Sequence, residues 1–130
     1  MDGIGTIEQI RVAPKAHYMR LRPFVVFNEP SLNPDEDEEL SGEGSYPSGH
    51  TIRGWACALM LAEVNPDAAE AIYARGWMYG ENRVIAGAHW QSDVDASRAA
   101  ASIAYAKINT NKKFRRQVAK ARAEFSRLTK

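Results

Sequence analysis

The sequence predicts an all-α fold, a compact bundle of about five helices with one long loop ahead of a Pro-Ser-Gly-His string. Three observations carry that expectation. Apolar residues recur at helical spacing through Trp55, Leu59 and Ala62, and again through Phe114, Val118, Ala121, Phe125 and Leu128. An alanine-rich run from about Gln91 to Ile108 offers small side chains where helices must approach closely. Asn65-Pro66 supplies a cap followed by a first-turn proline, a helix start signal.

In chain order, residues from about Thr6 to Leu21 suit one or two short helices, ended by Pro23 because the residue before a proline is pushed out of the helical region. Residues 24–47 turn to Asn, Pro, Ser and Gly around the acidic run Asp35 to Glu39, which reads as a long acidic surface loop. A helix follows from Ser48 to Val64, and another from about Pro66 to Met78 with Ile72 and Trp77 on its apolar side. Gly80 and Gly87 punctuate the next stretch. Helices over about Gln91–Ile108 and Asn111–Leu128 complete the chain. The basic residues of the last helix, such as Lys112, Arg116 and Lys120, read as a solvated face.

At 130 residues and 45% hydrophobic, the chain is expected to form a single domain, residues 1–130, with a modest core. Seventeen Lys+Arg against sixteen Asp+Glu leave a net charge of +1, so the overall balance gives no reason to expect nucleic acid or an anionic membrane as partner. No apolar run approaches the roughly 20 residues that span a bilayer. The start, Met1 to Gly5, lacks the basic and apolar regions of a secretory signal. Cys57, the only cysteine, excludes an internal disulfide and sits in the apolar run 55–59, where it reads as core packing.

The chemistry lies in three short blocks. Tyr46-Pro47-Ser48-Gly49-His50 and the set Asn82-Arg83, His89 and Asp93 each place a histidine beside groups suited to holding an anion, and Lys15 and Arg22 add two cations. Phosphoryl transfer gathers negative charge on equatorial oxygens, so a site for it needs several fixed donors aimed at one small volume. Lys15, Arg22 and Arg83 supply charge, the arginines with a fork suited to bidentate contacts. Ser48 and Gly49 stand where a loop enters a helix, and backbone N–H groups there favour an anion. His89 and Asp93, four residues apart, would share a face if the helix has begun by His89, so that the carboxylate fixes the imidazole tautomer and frees the other nitrogen to attack phosphorus. His50 then serves as general acid for the leaving alkoxide. No ligand cluster for a metal remains, and no cofactor is expected.

The intervals Lys15 to Pro23, Pro47 to His50 and Arg83 to Asp93 match lysine, six residues, Arg-Pro; Pro-Ser-Gly-His; and Ser-Arg, five residues, His, three residues, Asp. In this the chain resembles the type 2 phosphatidic acid phosphatase superfamily. The text around Lys15, Gly44 to Thr51 and His89 to Asp95 is most similar to its bacterial class A non-specific acid phosphatases. The resemblance implies His89 as nucleophile, His50 as acid and Asp93 as orienter, with Lys15, Arg22, Ser48, Gly49 and Arg83 binding phosphate. Asn82 stands where the pattern has serine, and its amide can still donate to an oxyanion.

The resemblance further implies a metal-independent acid phosphatase, inhibited by vanadate, acting on small soluble phosphomonoesters in a bacterial periplasm or outside the cell. Two rival expectations stand beside it: a vanadium-dependent haloperoxidase-like enzyme, whose family is similar at the same anion site, and a phosphate- or oxyanion-binding module without turnover. Family members carry further helices before the lysine, and apolar faces around Trp55, Trp77 and Phe114 left without that cover suggest a homo-oligomer. Of the remaining residues, His17 reads as structural, Tyr46 and Trp90 as rim or packing aromatics, and Asp95 with Arg98 as a local ion pair.

Overall fold

The computed structural model describes residues 3–129; Met1, Asp2 and Lys130 lie outside it, so the reading of the chain start falls partly beyond the described residues. The all-α expectation holds, with no strand among the described residues. Short helices α1 (Gly3–Glu8), α2 (Val12–Tyr18), α3 (Pro23–Phe27) and α4 (Asp37–Ser41) precede four long ones: α5 (Gly49–Val64), α6 (Ala69–Ile85), α7 (Gln91–Ile108) and α8 (Lys112–Leu128). Single 3₁₀ turns at Gln9–Arg11, Pro34–Glu36 and Pro66–Ala68 lead into α2, α4 and α6.

α5 is the central helix and packs against α6, α7, α1 and α8. Its start is set by Ser48, whose Oγ accepts from the N–H of Thr51 at 3.3 Å. Ile52 and Ala56 meet Ile7, Ala101 and Tyr105 in the buried core, with Trp55, Leu59, Met60 and Phe114 packed around it. The buried alanines Ala56 and Ala101 let α5 and α7 pack closely. Asn111 opens α8, its Oδ1 accepting from the N–H groups of Lys113 and Phe114 at 2.9 and 3.2 Å. Of the α8 stripe only Val118 is buried, and Phe125 and Leu128 remain exposed.

Four expectations need correction. The helix expected to stop near Met78 runs on to Ile85, with Gly80 inside it rather than ending it. A Cβ on Gly80 would lie 2.5 Å from Val94 Cγ1 and 2.8 Å from Arg98 Nη2, so glycine is there to let α6 and α7 touch. That approach outweighs the roughly 0.5–1 kcal/mol that glycine costs in a helix interior. Pro23 does not end a helix: α2 stops at Tyr18 with Met19 in the left-handed region, and Pro23 opens α3. The 24–47 stretch is therefore not one loop but two short helices and a 3₁₀ turn joined by irregular chain. Finally, Cys57 is half-buried rather than core, because it faces a cleft between α5 and α6 that it lines with Leu61, Ile72 and Tyr79.

Trp55 and Phe114 pack against the core, whereas Trp77 is 49% exposed beside exposed Met78 and Tyr79. Among the described residues no helix is long and apolar enough to cross a membrane.

Candidate active site

One cavity of about 290 Å³, near the lower end of the roughly 300–1,000 Å³ range of small-molecule pockets, opens where the 3₁₀ turn before α2, the α4 end and the α5 start converge. Lys15, Arg22, Gly49, His50, Arg83 and His89 line it together. Residues separated by up to 74 positions in the chain thus meet in one small volume.

His89 is placed by the chain just before α7. Trp90 is the N-cap residue and Asp93 the third helical residue, so the helix has not begun at His89. Asp93 is fully buried and splits its oxygens: Oδ2 accepts from the Trp90 N–H at 2.9 Å, and Oδ1 from Arg20 Nη1 at 2.7 Å. His89 Nδ1 lies 3.6 Å from Asp93 Oδ2, an electrostatic contact longer than a formed hydrogen bond. On the ring's other side, Nε2 is 3.1 Å from Arg22 Nη1. A guanidinium can only donate, so Nε2 accepts and carries the lone pair, which puts the ring proton on Nδ1 facing Asp93.

Burial, 3% exposed, is the main reason that the His89 pKa falls to about 4; Asp93 resists the shift, and the Arg22 and Lys15 charges add to it. The ring is neutral above that pH. Burial alone would raise Asp93, but the His89 ring, the Trp90 N–H, Ser45 and Arg20 together outweigh it and hold the carboxyl below its ordinary value. His50 stands exposed at the mouth, yet desolvation of the part turned inward, followed by the Arg83 charge, lowers its pKa below 6.5.

The cations are held differently. Arg22, 1% exposed, spends all its donors: Nε reaches the carbonyls of Leu40 at 2.8 Å and Glu43 at 3.3 Å, and Nη1 that of Ala88 at 3.0 Å. Its Nη2 donates to Glu43 Oε2 at 3.3 Å. Lys15 Nζ donates to the Gly44 carbonyl at 2.5 Å and pairs with Glu43 Oε2 at 3.3 Å. Burial, then repulsion from Arg22, lowers the Lys15 pKa against the pull of Glu43. Arg83, by contrast, has a buried Nε without a hydrogen-bond partner among the described residues. A guanidinium N–H without a protein partner beside such a cavity is a candidate donor to an anion.

Not every expected site residue lines the cavity. Ser48 is fully buried with its Oγ turned to Thr51, and its N–H donates to Ser97 Oγ at 2.8 Å. Asn82 is exposed on α6 outside the cavity lining. Ser97 also donates to the Asp93 carbonyl at 2.5 Å, so one buried hydroxyl ties the His50 loop to the His89–Asp93 turn. Arg20, Arg11, Glu43 and Ser97 were not singled out by the sequence. Arg20 had a readable signal, its place between Lys15 and Arg22, and Ser97 lies one helical turn after Asp93. Trp90 donates its Nε1–H to the Leu21 carbonyl at 2.8 Å, and Tyr46 packs edge-on to Tyr18, so both aromatics pack locally outside the cavity lining. Arg98 does bond Asp95 at 3.3 Å, but its stronger partner is Glu81 on α6 at 2.6 Å, with Trp77 stacked 3.5 Å away.

This arrangement coincides with a known family. The PAP2 superfamily model matches residues 4–116, a span that contains every residue of the cavity. The chain belongs to the PAP2 superfamily. Within it the chain is 49% identical over 116 residues to a non-specific acid phosphatase of Providencia stuartii, covering 89% of this chain and 47% of that protein. It is 46% identical over 112 residues to a non-specific acid phosphatase of Salmonella typhimurium, covering 86% and 45%. An acid phosphatase of Zymomonas mobilis is 43% identical over 113 residues, covering 87% and 43%. This PAP2 chain therefore spans a little under half the length of the curated relatives it matches.

Proposed function

We propose that this PAP2 protein is a metal-independent acid phosphatase that works through a phosphohistidine. His89 Nε2 attacks phosphorus as the ester P–O bond breaks, and His50 gives its proton to the departing oxygen. Neutral His50 then takes a proton from water, whose oxygen forms a new P–O bond as the P–N bond breaks, releasing inorganic phosphate. Arg22, Lys15 and Arg83 hold the equatorial oxygens, with the Gly49 end of α5 adding backbone donors. Ser48 contributes through its capping role, and Asn82 through its neighbouring position to Arg83.

The observation that carries this reading is the 3.1 Å contact between Arg22 Nη1 and His89 Nε2 inside a cavity shared with His50. It puts the ring's lone pair on Nε2, the nitrogen that exchanges its bond to Arg22 for one to phosphorus in the attack. Among the described residues no three His, Cys, Asp or Glu side chains cluster as a metal site needs, and the charges around the cavity are side-chain cations. The relatives' names favour phosphatase over haloperoxidase or a silent binding module. The cavity's size suits a small soluble phosphomonoester. By the same family reasoning the protein works outside the cytoplasm, and the exposed Trp77 face suits a two-fold oligomer.

The test is hydrolysis of a chromogenic phosphomonoester, repeated with chelator and with vanadate, alongside an assay of halide oxidation by vanadate and peroxide. Turnover that survives chelation and is blocked by vanadate supports the proposal. Turnover that needs a divalent ion, or halide oxidation without phosphatase activity, refutes it.

A further inference from the structure

Glu43 stands where an anion is wanted. Its Oε2 lies 3.3 Å from both Lys15 Nζ and Arg22 Nη2, and its Oε1 lies 3.1 Å from Arg11 Nη1. Two of these cations are the ones assigned above to phosphate, and both are nearly fully buried, so they have little access to water as an alternative partner. Arg22 in particular has no donor left over, because the Leu40, Glu43, Ala88 and Gly44 carbonyls and His89 Nε2 take the rest of its fork. A phosphate cannot be held by Arg22 Nη2 and Lys15 while the Glu43 carboxylate remains between them. Yet the Glu43 side chain is 44% exposed, so it can leave toward solvent by rotation of its own bonds without disturbing the core.

We propose that Glu43 is an internal competitor for the phosphate subsite: in the substrate-free protein its carboxylate stands in for the anion, and binding of a phosphate group displaces it. This rests on the reading of the cavity as a phosphate site. Glu43 thereby sets the affinity of the site rather than its chemistry. A binding-competent state that is only a fraction of the population weakens apparent affinity by that fraction. Three ion pairs, two of them to buried partners, place the open state in the minority. The same carboxylate keeps Lys15 and Arg22 from standing as unpaired buried charges before substrate arrives.

The experiment measures binding of inorganic phosphate by calorimetry at fixed ionic strength to the wild type, Glu43→Gln, Glu43→Ala and Glu39→Gln. Glu39 lines the same cavity and forms no ion pair among the described residues, so it matches the charge change without the contact. The expected result is about tenfold tighter phosphate binding in both Glu43 variants, with Glu39→Gln within twofold of wild type. Unchanged or weaker binding in the Glu43 variants overturns the proposal, as does an equal gain in Glu39→Gln, which would trace the effect to net charge alone. Thermal melts identify a variant that fails to fold, and Glu43→Gln, which keeps the side chain's size, decides if Glu43→Ala does. Because binding is read without turnover, an absence of phosphatase activity would refute the proposed reaction while leaving this comparison intact.

Discussion

The guanidinium of Arg22 donates to the ring of His89, with Nη1 3.1 Å from Nε2. One contact thus fixes which nitrogen holds the lone pair, places a positive charge beside the atom proposed to attack phosphorus, and turns the ring proton toward Asp93. Burial completes the arrangement by keeping the imidazole neutral down to about pH 4.

That relationship sets a pH window. In the proposed reaction His89 must be neutral to attack, which fails below about pH 4, and His50 must be protonated to act as acid, which fails above a pKa lowered from 6.5 by desolvation and Arg83. The expected kcat/KM profile is a bell with its acid limb near 4 and its upper limb below 6.5. A profile on an alkyl phosphate that stays flat to pH 8 would contradict these assignments.

Arg20 is expected to act through Asp93. It bonds Asp93 Oδ1 and Ser92 Oγ, both at 2.7 Å, and lies over Trp90. Arg20→Leu should lower kcat roughly tenfold, in the range of lost outer partners of a reacting group, and leave KM within about threefold. With its carboxylate no longer shared, Asp93 would favour imidazolium and move the acid limb upward; Arg20→Lys should restore part of both effects. A fall in stability with an unmoved acid limb would show a structural role only.

Removing the general acid should depend on the leaving group. His50→Ala is expected to cost far more on an alkyl phosphate than on a nitrophenyl phosphate, whose anion departs with little protonation. Steady-state rates on both esters provide the check. Equal losses, with chemistry rate-limiting, would remove His50 from that role.

Gly80→Ala should destabilise the fold by roughly 1–3 kcal/mol, the cost of overpacking, since its Cβ would press on Val94 and Arg98. Gly42→Ala, where the nearest atom is 3.6 Å away, serves as the comparison and should change stability by less than about 0.5 kcal/mol. Denaturant midpoints of the two variants test this; equal midpoints would mean that α6 and α7 do not meet at Gly80.

Much of this site was legible in the sequence because its chemistry is carried by rare residue types at fixed intervals. Two histidines, Lys15, Arg22 and Arg83 were named from those intervals, and all five line one cavity. The helices α5, α7 and α8 were legible from periodicity and alanine content, whereas Asn65, read as a cap, makes no side-chain cap bond and the caps that form are at Ser48 and Asn111. Gly80 misled because its reason is tertiary: the partner that requires it, Val94, lies on another helix. The short helices α3 and α4 were hidden by turn-forming composition. Glu43 was invisible for a different reason. A carboxylate just before Gly44 reads as loop polarity, and only the fold shows that Arg11, Lys15 and Arg22 converge on it.

The central claim is a covalent intermediate on His89, and trapping it is the most direct test. Wild-type protein mixed with a labelled phosphomonoester, quenched without acid and digested, should carry phosphate on the peptide containing His89, while His89→Ala should show neither label nor turnover. Label retained in His89→Ala, or found on His50 in the wild type, would contradict the account.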